Sequence, residues 1–365
     1  MHCPGVAFKA TIPQSHGSRR KAHIISPKSV RIVKVEATRC SSQCPSQPDS
    51  PDLLRRDLLS AMAGAVLSLP FIVTPSANAK LIEKVIPAKS LSSFQRRDLL
   101  NDFESRAVAE LKKVVTSADA PTAMRLLLHD AATYDAVSRT GGVNGSVVLS
   151  EELNRPENKD LKDLVARLST ARKALSTSGP ANQKALSWAD TIVLAVKVTQ
   201  QMKWTDEIIA KNPKNGQYLA ANFANQITVR LGRLDASEPD APGRFPAPGA
   251  PASEVLTFMS GLGVKDPAEL QGPFAKKAPF WERIAFVLWT AAQPNPAEAE
   301  EALVSGAPDA FGPWKEKYDK SRATTFRQDY EVDFIQYLNK LADLGAKINP
   351  DVYLYDVTVK VPERL

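Results

Sequence analysis

Between Lys80 and Leu365 apolar side chains return every three or four residues and only rarely every second one, and that spacing dictates helices. Phe103, Ala107, Leu111 and Val114 form one stripe. Pro121, favoured in a first helical turn, opens a second helix with Met124, Leu128 and Ala131 on one side. Leu161, Leu164, Leu168, Ala171 and Leu175 line a third, which Gly179-Pro180 stops. Ser187-Trp188-Ala189-Asp190 has the form of a capping box with Asp in the usual Glu position, and opens a helix carrying Ile192, Ala195, Thr199 and Met202. Helical spacing resumes over Glu254–Ser260 and Phe280–Ala292, and Gln293-Pro294-Asn295-Pro296 interrupts it. A last helix over Asp329–Ala346 buries Phe334, Leu338, Leu341 and Leu344, with Asp333, Lys340 and Asp343 toward water. The expected class is all-α.

Residues 232–251 cannot be regular helix. They hold Pro239, Pro242, Pro246, Pro248 and Pro251 with Gly232, Gly243 and Gly249, and read as a connector between two packed lobes, about 80–231 and 252–365. The tail, Val352–Val361, is strand-like without an evident partner.

The N-terminus reads as an address with no fold of its own. The first fifty residues contain Lys9, Arg19, Arg20, Lys21, Lys28, Arg31, Lys34 and Arg39 against Glu36 and Asp49, a composition that fits an organelle transit peptide. Residues 51–79 then carry Arg55-Arg56, an apolar stretch of about 16 residues ending at Val73, and the Ala77-Asn78-Ala79 exit of a twin-arginine export signal. That stretch falls short of the roughly 20 residues a spanning helix needs; an uncleaved anchor is the alternative. The two signals in this order predict delivery to the chloroplast thylakoid lumen, with cleavage after Ala79, leaving a protein peripheral to the membrane. A second pair, Arg96-Arg97, is followed by Asn101, Asp102 and Glu104 rather than an apolar run, and reads as helix surface.

Removing the address changes the electrostatics. Of the formal +7, the first fifty residues supply six, and residues 51–79 are balanced. A nearly neutral mature chain is poor material for binding nucleic acid. Cys3, Cys40 and Cys44 leave with the address, so no disulfide, thiolate metal site or cysteine nucleophile remains.

The chemistry-bearing residues are Arg125 and His129, four apart and therefore on one helical face. A histidine base and an arginine on adjacent turns can move a proton between the oxygens of a peroxide and stabilise the departing one. Taken alone, Arg-x-x-x-His is more often structural. The run from Arg125 through His129-Asp130 to Thr133-Tyr134-Asp135, followed by Thr140-Gly141-Gly142-x-Asn144-Gly145-Ser146, resembles the distal signature of class I plant-type heme peroxidases, the ascorbate peroxidase group. Ser187-Trp188-Ala189-Asp190, Gly232-Arg233-x-Asp235 and Gly243-Arg244-x-Pro246 extend the resemblance over about 120–251. It implies a peroxidase-like helical fold, and it implies that Asn158 hydrogen-bonds His129.

The departures decide the functional expectation. Leu128 stands where the family places an aromatic residue before the distal histidine. His2, His16 and His23 lie in the address, so from Asp130 onward no histidine exists to hold iron from below, and Gly261–Phe286, where that ligand belongs, has none. Met259 and Tyr318 read as packing residues. The expectation is a scaffold without cofactor or metal, its Arg125, His129 and Asn158 an inactive remnant. The C-terminal third, with Pro313-Trp314-x-x-Lys317-Tyr318 and Asp329-Tyr330-Glu331-Val332-Asp333, resembles a thylakoid-lumen branch of the family. That likeness implies association with photosystem II. The alternatives are a heme-dependent ascorbate peroxidase with unusual ligation, and a tetrapyrrole-binding protein without turnover.

Overall fold

Ser92 starts the first helix, α1 (Ser93–Leu111), with a reciprocal cap: its hydroxyl accepts from the Gln95 amide and the Gln95 side chain accepts from the Ser92 amide. The expected stripe follows, with Phe103, Ala107 and Leu111 buried. Arg96 and Arg97 lie on the helix surface, Arg96 against Asp351 at 2.9 Å and Arg97 over the Phe94 ring. In α2 (Ala120–Ala131), Pro121 occupies the first turn, where a missing amide hydrogen leaves nothing unpaired. α3 (Lys162–Ser178) packs on α1, and α4 (Trp188–Lys211) packs on α2, while α5 (Gly216–Ala224) folds back on α4.

The second half contains α6 (Ala252–Gly261), a turn of helix Trp281–Ile284 that widens into a π-helical segment Ala285–Trp289, then α7 (Pro296–Gly306), α8 (Pro308–Arg322) and α9 (Asp329–Ala342). All five residues of the π segment are buried, and the Thr290 hydroxyl bonds the Phe286 carbonyl there. One hydrophobic core joins both halves, from Phe103 to Tyr353.

This computed structural model describes residues 81–135, 138–180, 182–224, 227–242, 245–247, 249–262, 281–324 and 328–362. The residues of the address, Arg55, Arg56, Ala77 and Ala79 among them, lie outside the described residues, as do Gly243, Arg244 and most of Gly261–Phe286. Ser76–Leu365 form one compact unit, and among its described residues the regular structure is helical apart from a two-stranded sheet. The strand-like tail finds its partner at the other end of the folded chain: β1 (Leu81–Ile86) pairs antiparallel with β2 (Val357–Pro362), Leu81 opposite Pro362 and Ile86 opposite Val357. The described parts of the 232–251 connector form neither helix nor strand.

Two expectations are corrected. Ser187 does cap α4, accepting from the Asp190 amide at 3.1 Å, but the Asp190 side chain does not turn back to complete a box. It is wholly buried and accepts instead from the amides of Gly232 and Arg233, from Arg233 Nη1 at 2.9 Å and from the Tyr353 hydroxyl at 2.6 Å. A buried carboxylate takes as many donors as it can reach, and the connector brings more than the helix end offers. Asp333 likewise faces inward rather than toward water. It is 7% exposed, accepts from the Tyr318 hydroxyl at 2.8 Å, and has Arg283 at 3.5 Å. The buried face of α9 is wider than the Phe334–Leu341 stripe, because Tyr337 is buried beside it.

Candidate functional site

The end of α2 and the glycine-rich loop after it are held together by Asp130. Its two oxygens accept from the Gly145 amide at 2.9 Å and the Val147 amide at 3.3 Å. Gly145 sits at φ +74°, and a Cβ there would lie 2.8 Å from the Ala189 nitrogen, so the loop's close approach to α4 requires glycine. Asp130 is fully buried, and burial pushes its carboxyl up to about 8.

His129 is 6% exposed. Burial, and secondly the neighbouring Arg125 charge, push its imidazole down to about 3, so it is neutral throughout the ordinary pH range. Its Nε2 is buried without a hydrogen-bond partner. Arg125 shares this face but turns toward residues 156–161, donating Nη2 to the Glu157 carbonyl at 3.1 Å and pairing with Asp160 at 3.5 Å. Asn158 is buried in the same segment and donates Nδ2 to the Glu152 carbonyl at 2.8 Å. Its Oδ1 accepts no hydrogen bond, so the bond to His129 that the resemblance implied is not formed.

Phe245 decides what this site can do. Its ring centroid lies 4.1 Å from that of His129 with the planes 34° apart, which is van der Waals contact. Behind it, Trp289 is 5.2 Å away and Phe258 meets it edge-on at 5.5 Å. The connector delivers this ring from a clasp at Asp240. Asp240 Oδ2 accepts from the Thr133 hydroxyl at 2.9 Å, the Asn144 amide at 2.9 Å and the Ser146 hydroxyl at 3.1 Å. The Asp240 amide donates to Glu152, and Arg155 donates to the Asp240 carbonyl. The distal elements therefore hold a strap whose aromatic residue closes over His129. In the sequence the signal at Phe245, between Arg244 and Pro246, is a large aromatic ring inside a proline-rich connector, and it names no contact.

Among the described residues, no group of three or more His, Cys, Asp or Glu side chains is arranged to hold a metal ion. No described helix is long and apolar enough to cross a membrane.

Residues 104–270 match the family described as Peroxidase. The chloroplastic thylakoid lumenal 29 kDa protein of Arabidopsis thaliana is 30% identical over 369 residues, 97% of either chain. Its counterpart from Solanum lycopersicum is 32% identical over 82% of both chains. The peroxisomal L-ascorbate peroxidase 5 of Arabidopsis thaliana is 34% identical over 158 residues, which is 43% of this chain and 47% of that one. The crystal structure of the TL29 protein from Arabidopsis thaliana has a TM-score of 0.60 and 29% identity, covering 71% of this chain and 99% of its own. With the helical fold, the placement of Arg125, His129 and Asp130 on α2 and lumenal relatives aligned over 97% and 82% of their length, this chain belongs to the peroxidase family, and its compartment is that of those relatives, the chloroplast thylakoid lumen.

Proposed function

We propose that the protein is a non-catalytic peroxidase homologue that serves photosystem II as a lumenal interaction or auxiliary protein. The observation that carries the first half is the Phe245 ring against His129. A peroxidase must leave open, on the free side of its distal imidazole, a slot for peroxide and beyond it the face of a porphyrin. Here the Phe245 ring packs against the His129 imidazole at 4.1 Å, with Trp289 a further 5.2 Å from Phe245, and these rings take up space beside it. The sequence adds that no histidine follows Asp130, so the usual proximal ligand has no source. These residues do not fit a heme whose iron faces His129. Association with photosystem II rests on the likeness of the C-terminal third to lumenal relatives and on the shared compartment.

Hemin titration of the mature protein tests the first half. The expected result is no stoichiometric Soret band and no peroxide-dependent oxidation of ascorbate or guaiacol above that of free hemin. A sharp band at one equivalent, with turnover lost in His129→Ala, would replace this reading with that of an unusually ligated peroxidase. A band without turnover would make it a tetrapyrrole carrier.

For the second half, His129→Ala is expected to accumulate in the lumen and to co-migrate with photosystem II on native gels as the unaltered protein does. If neither form co-migrates, the partner assignment is wrong. If only the variant fails, the His129 face belongs to the interaction.

A further inference from the structure

Trp314 and Tyr318 lie one turn apart on α8, with ring centroids 6.4 Å apart and planes 28° from parallel. Trp314 is half-buried at the surface, whereas Tyr318 is completely buried. The Tyr318 hydroxyl donates to Asp333 Oδ2 at 2.8 Å. Removing an electron from a phenol releases its proton, so a tyrosine is readily oxidised only where a base stands ready to receive that proton. Asp333 is such a base, already in hydrogen-bond contact.

The surroundings give the pair a direction. Arg283 lies 5.2 Å over the Trp314 ring, and Lys317 Nζ lies 5.6 Å from it. Two cations over an indole favour the neutral ring and disfavour positive charge on it. Lys317 is also 5.9 Å from Tyr318, but there the Asp333 carboxylate faces the phenol directly. The neighbouring Tyr330, 5.3 Å from Tyr318, is a poorer destination. Among the described residues its hydroxyl reaches only the Val287 carbonyl, at 3.4 Å, and Arg322 lies 4.7 Å over its ring. An oxidising equivalent that arrives at Trp314 is therefore drawn to Tyr318.

We propose that Trp314, Tyr318 and Asp333 form a one-electron relay that takes oxidising equivalents from diffusible radicals at the surface into the core. The radical takes one electron from the Trp314 indole, whose Nε1 proton passes to water. One electron then moves from Tyr318 to Trp314 while the phenolic proton moves to Asp333, and the indole nitrogen regains a proton from water. The radical has been reduced by one electron, the indole is restored, and a phenoxyl radical remains beside a neutral Asp333 acid. This role is independent of the His129 site and needs no heme.

Pulse radiolysis of the mature protein with the azide radical, a one-electron oxidant of indoles, tests it. The expected result is an indolyl absorbance that decays by first-order kinetics, independent of protein concentration, as the phenoxyl absorbance grows. Tyr318→Phe keeps the ring packing and is expected to abolish that coupled phase. Trp314→Phe is expected to remove it from the indolyl side. Asp333→Asn is expected to slow it by about a hundredfold, the scale of a positioned base. The relay is refuted if the indolyl signal of the unaltered protein decays only by second-order kinetics, or if Tyr318→Phe leaves the first-order phase unchanged.

Discussion

Asp190→Asn is expected to lower the unfolding free energy by about 3–5 kcal/mol, the loss associated with leaving one member of a buried ion pair without its partner. Asp190 is fully buried and Arg233 is 1% exposed, so neither charge can be compensated by water. The carboxylate joins three separate pieces of chain: the first turn of α4, the start of the connector through Gly232 and Arg233, and the tail through Tyr353. An amide in its place presents hydrogens to donors on one side and leaves the guanidinium with only the half-buried Asp343, at 3.0 Å, as counter-charge. Arg233→Met should be milder, about 1–3 kcal/mol, because Asp190 keeps two backbone amides and the Tyr353 hydroxyl. Urea unfolding of both variants checks the ordering. If Arg233→Met proves the more damaging, the hub is held by the guanidinium's bonds to the Ala342 carbonyl and Asp343 rather than by the carboxylate.

Stability should also fall by roughly 2 kcal/mol as pH rises from about 6.5 to about 8, a consequence of one buried carboxyl. Asp130 is raised to about 8 by its burial, against about 3.9 in an unfolded chain. Between those values the folded protein holds a proton that the unfolded chain has released. Each pH unit gained there therefore favours unfolding by about 1.4 kcal/mol, and the slope ends above about 8. His129 acts in the opposite sense. It is lowered to about 3, chiefly by burial, against about 6.5 unfolded, so between those values the unfolded chain binds the extra proton and acid favours unfolding. From about 4 to 6.5 the two slopes oppose each other, with Glu152, raised by burial, adding to the Asp130 side. Above 6.5 Asp130 acts without that opposition. Asp130→Asn carries a constant penalty, since its amide opposes one of the two backbone donors, but its alkaline slope should vanish and the acid-side loss from His129 should emerge. Urea midpoints at pH 5.5, 6.5 and 8 measure this, and an unaltered alkaline slope in the variant would exclude Asp130 as its source.

The compartment and the helices were legible in the sequence because both are local. A stripe such as Phe103, Ala107 and Leu111 needs only the 3.6-residue period to be seen, and Ser187 announces a helix start within four residues. The absence of a histidine after Asp130 is a matter of composition, and it already set the functional expectation. Other features were decided by contacts between distant parts of the chain. Asp190 and Asp333 looked like a cap and a solvated face because their immediate neighbours allow those roles. Their partners, Arg233 and Tyr353 for one and Tyr318 and Arg283 for the other, come from other elements and are chosen by the cost of burying an unpaired carboxylate. The pairing of β1 with β2 has no local signature, since each strand supplies only half of a ladder. The sequence by itself thus determined where the protein goes, that it is helical, and that no histidine follows Asp130. Only the tertiary structure placed Phe245 on His129, because that contact depends on the path of a connector whose direction is fixed by the Asp240 clasp and not by any periodicity of its own.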